Sequence, residues 1–467
     1  MQQSLQAFEA RYPRHDGSAW RDRIRRLLAE RRIRIAVIDD DPTGIQTVHG
    51  CLLLTEFSTE SVRTTLTDSE PFFYLLVNSR AMTEEAAHKV VREAVEAVIE
   101  ANRELGYSLL FVSRSDSTLR GHFPAEPDTI MQVCNEHGLA QKLPLLFVPA
   151  FFEAGRYTLE GVHYMQQGDA LVPVNETEFA RDNVFGYRNA RLTDYLVEKG
   201  AGKIRAEEVT HIDLTTLRQS TPEALGTIVQ QHADKRCIAF DAFDYDDLGR
   251  LAVTVLEQFN AQEQAYGVIR CSSSLPKALS GMDERGYVAA EGQGAHGVVV
   301  VGSHVKKSTE QLMHLLESPS VRGVEIDVER ILNDEATQME EILQQAAELD
   351  AEGYIPVLYT SRREVRCDDV EKRQQLGAKI SQFLVDAVRA LPFRPDFLVS
   401  KGGITSHDIL THSLEVRVAR VEGQAAAGIP TIRTDSTGRF PDMRYIIFPG
   451  NVGAVETLRE VVERLRA

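Results

Sequence analysis

The sequence has little of what a disulfide-bonded, metal-cluster or membrane protein needs. It has five cysteines in 467 residues, none of them in a CxxC pair or a zinc-ligand spacing. Scattered cysteines of this kind are typical of reduced, mostly buried thiols. The longest apolar run, residues 145–152, is far shorter than the ~20 residues that span a bilayer. Residues 1–20 are polar and lack a signal-peptide core. We therefore expect a cytoplasmic protein with no membrane partner.

Positive charge is outnumbered by negative charge. The chain has 52 basic and 69 acidic residues, which gives a formal net charge of −17. This balance argues against a nucleic-acid partner, since such proteins carry basic stripes. Anionic small molecules can still be bound by local arginines and backbone amides. The length predicts two or three domains, and the oligomeric state stays open, with a homo-oligomer compatible with the sequence.

Strand-like and helix-like segments alternate along most of the chain. This alternation predicts an α/β fold of two domains, each a mostly parallel sheet flanked by helices, with the active site in the cleft between the domains. The predicted strands begin at residue 34 and continue at 72–78, 108–113, 145–150, 210–214, 237–243, 266–271, 298–302, 324–328, 355–360, 397–400, 429–432 and 445–448. We place a helical lead-in at 1–32, a first domain at 33–280, a glycine-rich hinge at 281–297 and a second domain at 298–467.

The first candidate site is an abrupt change of chemistry within residues 34–44 (RIAVIDDDPTG). An apolar, β-branched run ends in Asp39, Asp40 and Asp41, then Thr43 and Gly44, as a buried parallel strand does when it opens into a functional loop. Three adjacent carboxylates repel one another, so they need a cation, a donor-rich ligand or a raised pKa. The alternative is an acidic turn that caps the next segment, but a turn needs one aspartate and not three.

Further polar clusters follow three other predicted strands of the first domain. They contain candidate substrate-binding residues, namely Asn78 and Arg80, then Asp116, Ser117 and Arg120, then Arg156 and His163. Parallel strands end at one edge of a sheet, so these clusters are expected to converge. Arginine matches a carboxylate with two parallel hydrogen bonds, and the hydroxyls and carboxylates suit a sugar. Taken singly, each arginine is better explained by a surface ion pair, and His163 is equally well explained as a packed or surface histidine.

Three strand-to-helix junctions of the second domain carry glycine. The candidate nucleotide-binding residues there are Ser303, then Gly402, Gly403, Ile404 and Thr405, then Gly450, Asn451 and Gly453. Glycine permits close approach of the backbone, and helix N-termini present free amides to phosphate. None of the three matches a P-loop or a dinucleotide-binding fingerprint, so each alone is better explained as a tight turn. The presence of three in one domain is what raises phosphate binding as an alternative.

Together these segments resemble the four-carbon acid sugar kinase family over nearly the whole chain. The resemblance rests on residues 39–44 (DDDPTG), 116–121 (DSTLRG), 149–156, 302–303 with Thr309 and 311–312, 402–405 (GGIT) and 450–453 (GNVG). The sequence departs from the family in three places. Serines stand at 113 and 115, the first loop carries a third aspartate, and Phe448 and Val452 replace a lysine and a phenylalanine.

The resemblance implies an N-terminal sugar-acid-binding domain and a C-terminal nucleotide-binding domain. ATP, with Mg²⁺, would phosphorylate the terminal hydroxyl of a four-carbon sugar acid of the threonate, erythronate or 3-oxo-tetronate type. One aspartate of the triplet, Asp40 in the first instance, would orient or deprotonate that hydroxyl. Arg120, with Arg80 or Arg156, would hold the carboxylate, while the protein ligands of the metal stay unassigned. The alternatives are an Mg²⁺-dependent enzyme acting on a phosphorylated sugar acid and a non-catalytic sugar-acid sensor.

Overall fold

A computed structural model describes residues 3–292, 296–303, 305–362 and 370–466 of the chain. Residues 1–2, 293–295, 304, 363–369 and 467 lie outside these ranges. They include Cys367 and parts of the predicted lead-in, hinge and second domain. The chain divides into two compact units, Met1–Glu284 and Arg285–Ala467. Among the described residues, no helix is long and apolar enough to cross a membrane.

The first unit is built on a parallel sheet. Its strands lie in the order β11-β12-β7-β13-β5-β2-β4-β3, and every neighbouring pair is parallel. The strands of this unit are β1 (Gln3–Ser4), β2 (Ile33–Asp39), β3 (Leu52–Leu54), β4 (Phe72–Leu76), β5 (Ser108–Arg114), β6 (Ala140–Gln141), β7 (Leu145–Val148), β8 (Arg156–Leu159), β9 (Val162–Gln167), β10 (Ala170–Pro173), β11 (Val209–Ile212), β12 (Cys237–Phe240) and β13 (Ala265–Cys271).

Helices connect these strands and cover the sheet. They are α1 (Leu5–Arg11), α2 (Arg21–Glu30), α3 (Thr59–Leu66), α4 (Glu84–Asn102), α5 (Ala125–Glu136), α6 (Leu192–Gly200), α7 (Leu214–Gln219), α8 (Pro222–Gln231), α9 (Tyr245–Leu256) and α10 (Ser274–Ser280). Helix α4 shows why these segments are helical. The Thr83 hydroxyl accepts a hydrogen bond from the Ala86 amide at its start, and Val91, Val95 and Val98 are buried on one face.

A small antiparallel sheet, in the order β1-β10-β9-β8, is attached to the first unit. It was not predicted, because its strands are only two to six residues long. The tight turn between β8 and β9 has positive φ at both Glu160 and Gly161, as a two-residue hairpin requires. Strand β1 pairs with β10, so the lead-in at residues 1–32 contains a strand beside helices α1 and α2.

The second unit has a mixed sheet in the order β18-β19-β20-β17-β14-β16-β15. The five strands from β20 to β15 are parallel, and β18 and β19 form an antiparallel edge. The elements are β14 (Gly297–Val301), α11 (Lys306–Leu316), β15 (Val321–Ile326), α12 (Val328–Asn333), α13 (Glu335–Ala351), β16 (Ile355–Thr360), α14 (Val370–Arg389), β17 (Phe397–Lys401), α15 (Gly403–Asp408), a π-helical turn (Ile409–Ser413), β18 (Val418–Ala426), β19 (Ile429–Thr434), β20 (Arg444–Phe448) and α16 (Thr457–Arg466). The predicted α/β class of two mostly parallel sheets is confirmed.

Candidate active site

The three aspartates lie at the carboxyl end of β2, in the middle of the first sheet. Strands β4 and β5 pair with β2 on either side, so the chain that follows each of them reaches the aspartates. The Arg80 amide donates to the Asp40 carbonyl at 3.2 Å, and the Asp40 amide donates to the Arg114 carbonyl at 3.3 Å. The predicted convergence of residues 39–41, 78–80 and 115–121 is therefore present.

Asp40 is enclosed by donors on all sides. The Arg80 guanidinium binds both of its carboxylate oxygens, with the Nε–Oδ2 distance at 3.0 Å. The Ser115 hydroxyl donates to Oδ2 at 2.7 Å, and Arg114 Nη1 lies 3.5 Å from Oδ1. The Asp40 side chain is only 1% exposed. A carboxylate held in this way is a fixed acceptor, and both of its oxygens are already engaged by protein donors.

Asp39 is buried behind Asp40. Arg114 Nη1 donates to its Oδ1 at 3.3 Å, whereas Oδ2 has no hydrogen-bond partner among the described residues. Burial raises the pKa of Asp39 to about 8, against the opposing field of Arg114. Gly44 packs directly on this carboxylate, and a side chain at position 44 would overlap it. The glycine that was predicted to bind substrate is thus required for close packing against Asp39.

Asp41 is the most exposed member of the triplet, with 23% of its side chain accessible. Its Oδ1 accepts the Thr43 amide at 2.8 Å and also the Thr43 hydroxyl. Its Oδ2 accepts from Arg80 Nη1 at 3.2 Å. Burial alone would raise the pKa of Asp41, but Arg80, Arg114 and Thr43 hold it below its usual value. Asp41 is therefore a charged carboxylate that a ligand can reach.

The loop after β5 holds a second acidic group, Asp116. It accepts from Arg120 Nε at 2.7 Å and from the Thr118 hydroxyl. Although burial opposes ionisation, Arg80 and Arg120 depress the pKa of Asp116 far below its usual range. Arg120 Nη1 also lies 3.6 Å from Asp182. The Arg120 guanidinium is thus paired with two protein carboxylates, Asp116 and Asp182.

His163 supports this loop from behind. Its Nε2 donates to the Ser117 carbonyl at 2.8 Å, and its Nδ1 accepts from the Thr158 hydroxyl at 2.9 Å. The ring is fully buried, and burial lowers the pKa of His163 to about 4. With both nitrogens bonded to the protein, this neutral histidine fixes the position of Ser117. That geometry does not suit the predicted direct contact with substrate.

Arg156 differs from the other two predicted arginines. Its Nη1 donates to the Ala154 carbonyl, its buried Nε has no partner, and no carboxylate pairs with it in the described part of the chain. Burial lowers the pKa of Arg156, while the nearby Asp116 acts in the opposite direction. Of the three, this guanidinium has the most capacity left for an anion.

Sequence reasoning missed the groups beneath the site. Arg114 and Arg270 are buried on the adjacent strands β5 and β13. Arg270 Nη1 donates to the Ser113 hydroxyl at 2.7 Å and to Glu126, which also accepts from the Ser79 hydroxyl. Arginines within otherwise apolar strands were the available signal, since a buried charge needs a partner. Asn78 adopts a left-handed conformation, φ 50°, which turns the chain back over the site.

The three glycine junctions of the second unit also lie together. Gly302 packs so closely on Thr405 that an added methyl group would lie 2.5 Å from the Thr405 hydroxyl. A methyl group on Gly402 would lie 3.4 Å from Ser303 Cβ, and one on Gly450 would lie 3.7 Å from Ser303 Oγ. Gly402 has φ 116°, a conformation that favours glycine. The predicted set from Ser303 to Gly453 thus forms one surface at the carboxyl ends of β14, β17 and β20.

The loop after β20 presents its backbone in an unusual way. Four consecutive carbonyls, those of residues 449–452, all accept hydrogen bonds from side chains. Their donors are Lys401, Lys307, Ser308 and Gln311, at 3.0–3.3 Å. Each peptide is planar and trans, so the N–H groups of residues 450–453 point the opposite way. Among the described residues, the amides of Gly450, Asn451 and Gly453 have no acceptor, while a turn at residues 450–451 directs the Val452 amide toward the Pro449 carbonyl. Such a row of amides is an anion-binding surface.

Apolar side chains border this surface. Ile404 is 71% exposed, Val305 48% and Val455 39%. Each of the three follows one of the glycine junctions. No group of three or more histidine, cysteine or acidic side chains that could hold a metal ion occurs among the described residues.

Comparison with known proteins agrees with this architecture. Residues 35–279 match the family described as a sugar-binding N-terminal domain, and residues 298–458 match the nucleotide-binding C-terminal domain. A D-erythronate kinase of Heliobacterium modesticaldum is 26% identical over 266 residues, which are 56% of this chain and 53% of that protein. The chain thus aligns with about half the length of this curated relative.

Two solved structures share the fold. The Haemophilus influenzae protein HI1011 superposes with a TM-score of 0.66 and 16% identity, over 92% of this chain and 100% of that one. A Salmonella typhimurium LT2 protein superposes with a TM-score of 0.67 and 16% identity, over 91% and 98%. The two domain matches span both units in the predicted order. They confirm the resemblance found in the sequence, and the chain belongs to the four-carbon acid sugar kinase family.

Proposed function

We propose that the protein is an ATP-dependent kinase that phosphorylates the terminal hydroxyl of a four-carbon sugar acid of the threonate, erythronate or 3-oxo-tetronate type. The observation that carries the proposal is the set of amides at Gly450, Asn451 and Gly453, which have no acceptor among the described residues and lie in the domain matched as nucleotide-binding. The similarity to a D-erythronate kinase supports the acceptor class.

On the substrate side, Arg156 is the group best suited to the sugar-acid carboxylate. Its guanidinium has an unpaired buried Nε, whereas Arg80 and Arg120 are engaged by protein carboxylates. Asp116, Ser117 and Asn78 offer oxygen and amide groups to the substrate hydroxyls. This assignment narrows the predicted carboxylate contact from three arginines to one.

Asp41 is proposed to orient the attacking hydroxyl. It is accessible and ionised, whereas Asp39 and Asp40 are each 1% exposed. Arg80, itself held by Asp40, would hold Asp41 in place. Phosphoryl transfer depends mainly on positioning and charge neutralisation, so an ionised acceptor of low basicity suffices to orient a hydroxyl.

On the nucleotide side, the unpaired amides within residues 450–453 and the junctions at Ser303 and Gly402–Thr405 would hold the ATP phosphates. Ile404 would contact an apolar part of the nucleotide. Mg²⁺ suits a site of this kind, because it keeps several waters and binds largely through phosphate oxygens. When bound, it would neutralise phosphate charge. Transfer requires that the two bound ligands meet during turnover.

The proposal is tested by measuring ADP release from ATP and Mg²⁺ with a panel of four-carbon sugar acids. We expect release that depends on one of these acids, and a loss of at least about 10²-fold in kcat for Asp41→Asn. Asp22→Asn, at an exposed helix position, is the matched control and should leave turnover unchanged.

Other outcomes would point elsewhere. A flat panel with ADP still bound would indicate a different acceptor. If the protein bound no nucleotide, the kinase proposal would be wrong, and an enzyme acting on a phosphorylated sugar acid or a sugar-acid sensor would replace it.

A further inference from the structure

Lys401 is a buried ammonium group beneath the candidate phosphate surface. It is the last residue of β17 and is fully buried. Its Nζ donates to the Pro449 carbonyl at 3.0 Å and to the Gly450 carbonyl at 3.4 Å, and it lies 4.2 Å from the centre of the Phe448 ring. No carboxylate pairs with it in the described ranges. A buried cation without a counter-ion is costly unless a ligand supplies the negative charge.

Lys401 also determines which way the loop faces. The other side chains that bind the loop carbonyls, Lys307, Ser308 and Gln311, come from α11. Lys401 approaches from the sheet and binds the first two carbonyls, where the chain leaves β20. Rotating either peptide to direct its N–H inward would bring that N–H against the ammonium group. The amides of Gly450 and Asn451 are therefore kept outward by Lys401.

We propose that Lys401 is a positioning residue for the nucleotide phosphates. It holds the carbonyls of Pro449 and Gly450, so that the amides of Gly450 and Asn451 face the ligand, and it supplies the positive charge behind these amides. This inference rests on the proposed function, because it takes a nucleotide as the anion. It adds a residue that neither the motif at 402–405 nor the motif at 450–453 includes.

The charge state of Lys401 offers an independent readout. Burial lowers the pKa of Lys401 to about 7. The positive charge of the nearby Lys307 lowers this pKa further. The Phe448 ring beside the amine and the Ser308 hydroxyl, which shares the Gly450 carbonyl with it, are uncharged. At pH 8 the free protein therefore holds this amine largely neutral. A phosphate anion nearby favours the charged form, so nucleotide binding at pH 8 should take up a proton.

The test is calorimetric titration of ADP into the full-length wild type, Lys401→Met and Lys306→Met. Lys306 is 91% exposed, and among the described residues its ion-pair partner is Glu310, so its variant removes the same charge without touching the loop. We expect Lys401→Met to weaken ADP binding about tenfold or more, with sugar-acid affinity retained. Lys401→Arg should recover part of the loss, and Lys306→Met should bind as wild type.

Two results separate failure of this inference from failure of the kinase proposal. If wild type binds no ADP, the proposed function fails. If wild type binds ADP and Lys401→Met binds equally well, the role of Lys401 is refuted. Should Lys401→Met not fold, the wild type alone decides. Titrations at pH 8 in buffers of different ionisation enthalpy would then show proton uptake on ADP binding, and its absence would overturn the inference.

Discussion

At the scale of single residues, Asp39 makes the stability of the first domain depend on pH. Its pKa is raised to about 8 in the folded protein, well above the ordinary value of about 4 for the unfolded chain. At any pH between these two pKa values, Asp39 therefore carries a proton in the folded state and has lost it in the unfolded state. Stability contributed by this group is complete at low pH and declines as the pH rises toward 8.

This pH dependence can be isolated by substitution. Asp39→Asn should reduce the loss of melting temperature between pH 6 and pH 8.5, because the amide does not titrate. The measurement is thermal unfolding of wild type and variant across that range. Asp22→Asn, exposed on α2, serves as the control and should follow the wild-type curve. Parallel curves for wild type and Asp39→Asn would contradict the assignment.

Gly44 is the second residue whose effect the geometry defines. Gly44→Ala should destabilise the protein by several kcal/mol and disturb the aspartates, since the added methyl group overlaps the Asp39 carboxylate. Gly286→Ala is the matched control, because nothing lies within 4 Å of that position. Chemical denaturation of both variants checks the prediction. Equal stabilities of the two variants would contradict the prediction, because the end of β2 would then move freely to accommodate the added methyl group.

At the scale of elements, helix α11 fixes the loop after β20. Gln311 Nε2 donates to the Val452 carbonyl at 3.0 Å and to the Ala454 carbonyl at 2.7 Å. Gln311→Leu removes both bonds, so ADP binding should weaken severalfold while sugar-acid binding is unchanged. The control is Gln344→Leu on α13, where the amide bonds only Glu348 at an exposed position. Calorimetry with each ligand would measure the difference.

The secondary-structure elements also show how much of the fold could be predicted from the sequence. The end of β2 was predictable, because an apolar run that stops at three aspartates is typical of a buried strand that opens into a functional loop. The sheet of β8–β10 was not, since its strands are four to six residues long and its turn depends on the conformation of Glu160. The donors that enclose Asp40 could not be assigned either. Their pairing depends on strands that are distant in sequence but adjacent in the sheet.

At the scale of the whole molecule, the two candidate sites draw on separate units. All the residues proposed to bind the sugar acid lie in Met1–Glu284, and all those proposed to bind nucleotide lie in Arg285–Ala467. Arg156→Gln should therefore raise the KM for the sugar acid about tenfold or more, by loss of charged hydrogen bonds, and leave ADP affinity unchanged. Arg103→Gln, at an exposed ion pair, is the control. A matching loss of ADP affinity in Arg156→Gln would contradict the division of roles.

The backbone recognition described for residues 450–453 has a consequence for how this chain tolerates change. Because the ligand-facing groups there are backbone amides, the ligand need not contact the side chains of Asn451 and Val452. The side chains that hold the loop in shape are instead those of Lys401, Ser308 and Gln311, which lie about 50 and 140 residues earlier in the chain. A substitution at one of those distant positions should damage the surface more than most substitutions within the loop itself.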